Sequence, residues 1–92
     1  MEKDLNYKII VKGRVQGVGY RAFVLRIAKG FSLKGYVKNM PNGTVQIEAE
    51  GTKEILDKFV ITCKIGPGWA RIENINQTET PTQGYREFKI TY

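Results

Sequence analysis

Histidine is absent from the 92 residues, and cysteine and tryptophan occur once each, at Cys63 and Trp69. Without histidine the chain lacks the commonest general base and the commonest metal ligand together. One cysteine cannot close an internal disulfide. No apolar stretch nears the ~20 residues that span a bilayer, and the Met1 start lacks the apolar run of a secretory signal. These absences set the expectation of a cytoplasmic chain with no membrane partner. No linker, repeat or low-complexity tract divides it, so residues 1–92 read as one domain, with Met1–Asn6 frayed. Two Asn-x-Thr triplets, at Asn42 and Asn76, are chance matches in the absence of an export signal.

What is present is an ordinary globular composition, 41% hydrophobic and 26% charged, with a formal charge of +6. That charge suggests an anionic ligand or partner and leaves nucleic acid, a membrane surface and a small phosphate compound open. Tyr7, Ile9 and Val11 alternate, which predicts a strand over 7–13. Phe23, Ile27 and Phe31, with Val24 and Ala28 alongside, form the apolar stripe of a helix that begins near Arg21 and stops at Gly30–Ser32. A second strand follows over 33–39. Asn42-Gly43 marks a tight turn, and Thr44–Glu50 alternates, with Val45, Ile47 and Ala49 inward and Thr44, Gln46, Glu48 and Glu50 toward water. Thr52 reads as the N-cap of a second helix whose stripe is Ile55, Leu56, Phe59, Val60 and Cys63, broken by Gly66-Pro67-Gly68. Cys63 on that stripe reads as a core residue, and Trp69 beyond the break as packing. A fourth strand is expected over 70–77, a loop over 80–84 and a last strand piece over 86–92.

The order β-α-β-β-α-β predicts an α+β, ferredoxin-like split β-α-β sandwich, with an antiparallel sheet and both helices on one face. A helical crossover makes the first two strands parallel, so their C-terminal ends lie at the same end of the sheet. The loop Gly13-Arg14-Val15-Gln16-Gly17-Val18-Gly19-Tyr20-Arg21 leaves one of those ends, and Asn39 lies at the other. Where a strand hands over to a helix, the first helical N–H groups lack partners and the dipole favours an anion. Glycines let such a backbone turn its N–H groups inward as a nest. The loop by itself reads equally as an anion nest or as a turn whose glycines relieve strain. Arg21 in a first helical turn is disfavoured by the dipole unless an anion is bound. Asn39 by itself could simply begin the turn that Asn42-Gly43 completes.

The run from Gly13 to Arg21, followed by Gly35-Tyr36-Val37-Lys38-Asn39 and Asn42-Gly43-Thr44-Val45, resembles the acylphosphatases over about residues 7–92, including a Gly66-Pro67 near the end of the second helix. The resemblance implies hydrolysis of small acyl phosphates without a cofactor or metal. It implies that the Gln16, Gly17, Val18, Gly19 and Tyr20 backbone wraps the phosphate, that Arg21 is the phosphate-binding arginine and that Asn39 orients the attacking water. Arg21 and Asn39 are thus the expected catalytic pair. One departure stands out: where the family often has glycine before the second strand, this chain has Ser32, with Gly30 two residues earlier.

Other chemistries lack their residues. The loop has no cysteine for a thiolate phosphatase and no Gly-Lys-Ser/Thr for a nucleotide P-loop. It also lacks Cys-x-x-Cys for a heavy metal. No carboxylate pair has metal-ligand spacing. RNA recognition on this fold stacks bases on aromatic residues, whereas Thr44, Gln46, Glu48 and Glu50 offer none and two acids. A nucleic-acid partner is therefore not expected, and the chain is expected to be a monomer.

Overall fold

A computed structural model describes residues 2–92 of the chain; Met1 lies outside the described residues. Seven elements follow in order: β1 (Leu5–Arg14), α1 (Tyr20–Gly30), β2 (Lys34–Asn39), β3 (Val45–Gly51), α2 (Lys53–Ile65), β4 (Arg71–Thr80) and β5 (Phe88–Thr91). The five strands form one sheet in the order β4-β1-β3-β2-β5. β1 pairs antiparallel with β3 and β4, and β2 antiparallel with β3. The last strand runs parallel to β2, from Gly35↔Phe88 to Lys38↔Thr91. This parallel edge makes the sheet mixed rather than wholly antiparallel; the α+β arrangement otherwise follows the expected order.

The alternating residues of β1 and β3 supply the core. Tyr7, Ile9, Val11, Val45, Ile47 and Ala49 are buried on the face that both helices cover. At roughly 1.5–3 kcal/mol for a fully buried large aliphatic or aromatic side chain, this face is the main source of stability. In α1 the buried row is Tyr20, Val24 and Ala28, while Phe23 and Ile27 flank it half-buried. The small residues of the stripe thus set how closely the helix approaches the sheet. In α2 the buried residues are Leu56, Phe59 and Cys63, as the periodicity predicts. The helix ends at Gly66, whose φ of 66° is one an L side chain rarely adopts.

Three segments differ from the sequence expectation. Asn6, expected in a frayed end, is fully buried within β1. Its amide donates to Glu50 Oε2 at 2.7 Å, and its Oδ1 accepts from Thr80 Oγ1 at 2.6 Å. β4 runs three residues beyond the predicted Gln77. Ile72 and Ile75, three residues apart, both point to the core side although strict alternation would set them on opposite faces, because the register with β1 shifts between Lys12 and Gly13. A bulge inserts one residue and so changes which face the following side chains take. Gly13 permits it: its φ is 144°, and a Cβ there would lie 2.1 Å from the Arg71 carbonyl oxygen. Finally, Glu50 does not face water. It is 6% exposed, and it accepts from the backbone N–H groups of Gln83, Gly84 and Tyr85. Burial alone would raise its carboxyl; the donors from Asn6, Gln83, Gly84 and Tyr85 outweigh that and hold it below the ordinary glutamate range.

Candidate active site

The parallel course of β1 and β2 puts the loop 15–19 and Asn39 at one end of the sheet. Asn39 pairs with Val45, and Val45 with Val11, so Asn39 is level with the last core residue of β1 before the loop. It lies on the same face of β2 as the buried Val37, the face the helices cover. A side-chain bridge ties the loop to the turn that follows Asn39. Gln16 Nε2 donates to the carbonyl oxygens of both Met40 and Thr44, each at 2.8 Å. The sequence pattern contains no periodic signal for this contact.

Within the loop, Gly17 and Gly19 have φ of 74° and 80°. Gly19 is the N-cap of α1, no side chain caps the helix, and no acidic residue lies in its first turn. The leading N–H groups of α1 are therefore without a capping side chain, at the positive end of the helix dipole. A cavity of about 170 Å³ opens there, lined by Val15, Gly17, Gly19, Tyr20, Arg21, Ala22 and Ile90. Val18 turns away and packs half-buried against the core. The Arg21 guanidinium stands 5.0 Å from the centre of the Tyr92 ring, a cation–π contact that the C-terminal residue supplies.

Tyr20 is fully buried and donates to the Cys63 carbonyl at 2.9 Å, which fixes the start of α1 against α2. Burial pushes its phenol far above the ordinary range, and the adjacent Cys63 adds to the shift. Burial likewise raises the Cys63 thiol, with the Tyr20 hydrogen bond opposing it slightly. Both are neutral structural groups at any ordinary pH. Asn39 presents the opposite situation: its Oδ1 is buried and has no hydrogen-bond partner among the described residues. An unmet buried acceptor costs roughly 1–3 kcal/mol, so its retention asks for a reason.

Of the predicted residues, Gly17, Gly19, Tyr20 and Arg21 line the cavity together. Gln16 is joined to the turn after Asn39, and Asn39 itself contributes to the same sheet end without lining that cavity. Trp69 was not expected near it. It is 62% exposed rather than packed, and its Nε1 would lie 3.6 Å from a Cβ on Gly19. A larger cavity, about 500 Å³, lies between the start of β1 and the end of β4, lined by Lys3, Asp4, Leu5 and 79–82. Asp4 and Glu79 make it a poor anion site, and it holds none of the predicted residues. Among the described residues no group of three His, Cys, Asp or Glu could hold a metal. No described helix is long and apolar enough to cross a membrane.

The family model for acylphosphatase matches residues 7–90. The chain belongs to the acylphosphatase family. It is 46% identical over 85 residues to the acylphosphatase of Thermotoga maritima, covering 92% of this chain and 94% of the relative. The crystal structure of the acylphosphatase from Bacillus subtilis superposes with a TM-score of 0.92 at 44% identity, over 96% of this chain and 99% of that one. An acylphosphatase from Coxiella burnetii gives 0.91 at 30% identity, over 96% and 93%. These matches span nearly the whole chain, so the acylphosphatase likeness includes the loop, the β2 end and the sheet that positions both.

Proposed function

We propose that the chain hydrolyses the carboxyl–phosphate bond of small acyl phosphates, acting as a monomer and without a metal. The phosphoryl group sits in the Gln16–Tyr20 loop, held by backbone N–H groups and by the Arg21 guanidinium. Water attacks phosphorus from the side of Asn39, the new oxygen–phosphorus bond replaces the old, and the carboxylate departs with the bonding electrons. A carboxylate is a good leaving group, so the protein has mainly to position the anion and balance charge on its equatorial oxygens. The uncapped, positive end of α1 and Arg21 suit that task. The unpartnered Oδ1 of Asn39 is the observation that carries the reading. It can accept a hydrogen bond from water while its amide donates to another oxygen, and it does so without titrating. With no histidine in the chain and Tyr20 and Cys63 both neutral, the bound phosphate itself accepts the proton of the attacking water.

The test is benzoyl phosphate hydrolysis by the purified protein with a chelator present, beside Arg21→Ala and Asn39→Ala. Turnover in the parent and losses of at least ~10²-fold in each variant are expected, the size of losing one preorganised charge or donor. An Asn39→Ala variant as fast as the parent would remove the water-orienting role. A kcat that tracked the titration of an Asp or Glu would remove phosphate as the proton acceptor.

A further inference from the structure

Trp69, the one tryptophan, exposes 62% of its surface, which is unusual for so large an apolar side chain in a small domain. Its position is built. Pro67 is buried, and the N–H of Ala70 donates to the Pro67 carbonyl at 3.1 Å, closing a turn that holds Gly68 and Trp69 outward. The indole nitrogen borders Gly19, which lines the cavity beside Arg21 and Ile90. That cavity is small, about 170 Å³, and has Gly17, Gly19 and Arg21 in its wall, so it suits a phosphoryl group and leaves the rest of a substrate outside. We infer that Trp69 is a specificity residue: an acyl group emerging over the Gly19 rim lies against the indole, which favours aromatic over short aliphatic acyl phosphates. The inference rests on the reading of the loop as the phosphoryl site.

The test compares kcat/KM for benzoyl phosphate and acetyl phosphate in the parent, Trp69→Ala and Trp69→Phe. One aromatic contact corresponds to roughly threefold to tenfold. Trp69→Ala should lose that factor on benzoyl phosphate through KM, keep acetyl phosphate within about twofold, and be largely rescued by Trp69→Phe. An equal fall on both substrates would make Trp69 a prop for the loop, and no fall on either would overturn the inference. Because Trp69 is the only tryptophan, its fluorescence reports directly: benzylphosphonate should shift it at saturation and methylphosphonate should not. If the parent hydrolysed neither substrate, the reading of the loop would fail, and equal fluorescence responses to the two phosphonates would separately overturn the role of Trp69.

Discussion

Replacing Gln16 by alanine tests whether the loop and Asn39 act as one unit. The substitution removes two hydrogen bonds of 2.8 Å, to Met40 and Thr44. Each is worth about 0.5–1.5 kcal/mol net. Neither carbonyl is orphaned, because Met40 O also accepts from Gly43 N at 3.1 Å and Thr44 O from Met40 N at 2.9 Å. The expected loss is therefore about 1–3 kcal/mol, without the added penalty of a stranded acceptor. In a domain of this size that lowers Tm by roughly 4–24 °C in a thermal melt followed by circular dichroism. The kinetic effect should be larger than the stability effect. A misplacement of ~1 Å between reacting partners can cost ~10²-fold, so kcat on benzoyl phosphate should fall ten- to a hundredfold at a temperature where the variant is folded. Gln16→Glu is the sharper variant, since it sets a carboxylate against two carbonyl oxygens and should be less stable than Gln16→Ala. The reasoning fails if Gln16→Ala loses stability and keeps the parent kcat, because the bridge would then only hold the turn. It also fails if the glutamate variant is the more stable of the two.

Gly13→Ala should destabilise by ~3 kcal/mol or more, since its Cβ would collide with the Arg71 carbonyl at a φ of 144°; a denaturant midpoint near the parent's would show that the β1–β4 bulge can relax. Ser32 has a φ of 57°, the left-handed region that costs a non-glycine residue ~1–2 kcal/mol. Ser32→Gly relieves that and loses ~0.5–1 kcal/mol to chain entropy, so a net gain of about 0.5–1 kcal/mol is expected in the same titration. Glu50 is held below its ordinary value in the folded chain, so the unfolded state binds the proton more readily. Its contribution is present at neutral pH and is lost as pH falls from its ordinary 4.5 downward; Glu50→Gln should flatten the acid limb of a stability–pH curve. Inorganic phosphate should raise Tm by binding the folded state alone, about 2.7 kcal/mol at a hundred times its Kd, and Arg21→Ala should abolish the rise.

The parts of this molecule that were legible in sequence are those with a period or a topological consequence. Alternation in β1 and β3 and the stripe of α2 located the core, because burial on one face leaves a repeating mark. The helical crossover, by making β1 and β2 parallel, then set Asn39 at the same end of the sheet as the loop without any contact being known. The parts that were not legible depend on single long-range polar pairs. Asn6, Glu50 and the 81–87 segment are joined by hydrogen bonds between residues more than 30 apart in sequence, and a glutamate at an alternating position reads as solvent-facing whether or not three N–H groups later fold over it. Gln16 is similar: its spacing to Met40 and Thr44 carries no pattern. Ile72 and Ile75 were obscured by a bulge, which breaks the period-two rule where it occurs. Ser32 was visible only as a departure, and its left-handed φ shows why glycine is the natural residue there.

The distribution of satisfied and unsatisfied polar groups separates the two ends of the sheet. Glu50 is met by Asn6 and three backbone donors, and Glu48 by the hydroxyls of Tyr36 and Tyr85 and the amide of Asn6. At the opposite end, α1 starts without a capping side chain, carries a cation rather than an acid in its first turn, and lies near an asparagine oxygen with no partner. A missing cap costs ~0.5–2 kcal/mol, an adverse dipole interaction ~0.3–1 and an orphaned acceptor ~1–3. Natural sequences break local rules at functional sites and compensate elsewhere. Here the unmet groups are complementary to two different visitors: the N–H groups and Arg21 want an anion, and the asparagine oxygen wants a donor. A phosphoryl group answers the first and a water the second. These are the two reactants of the proposed hydrolysis, and the Gln16 bridge ties the loop to the turn that follows Asn39.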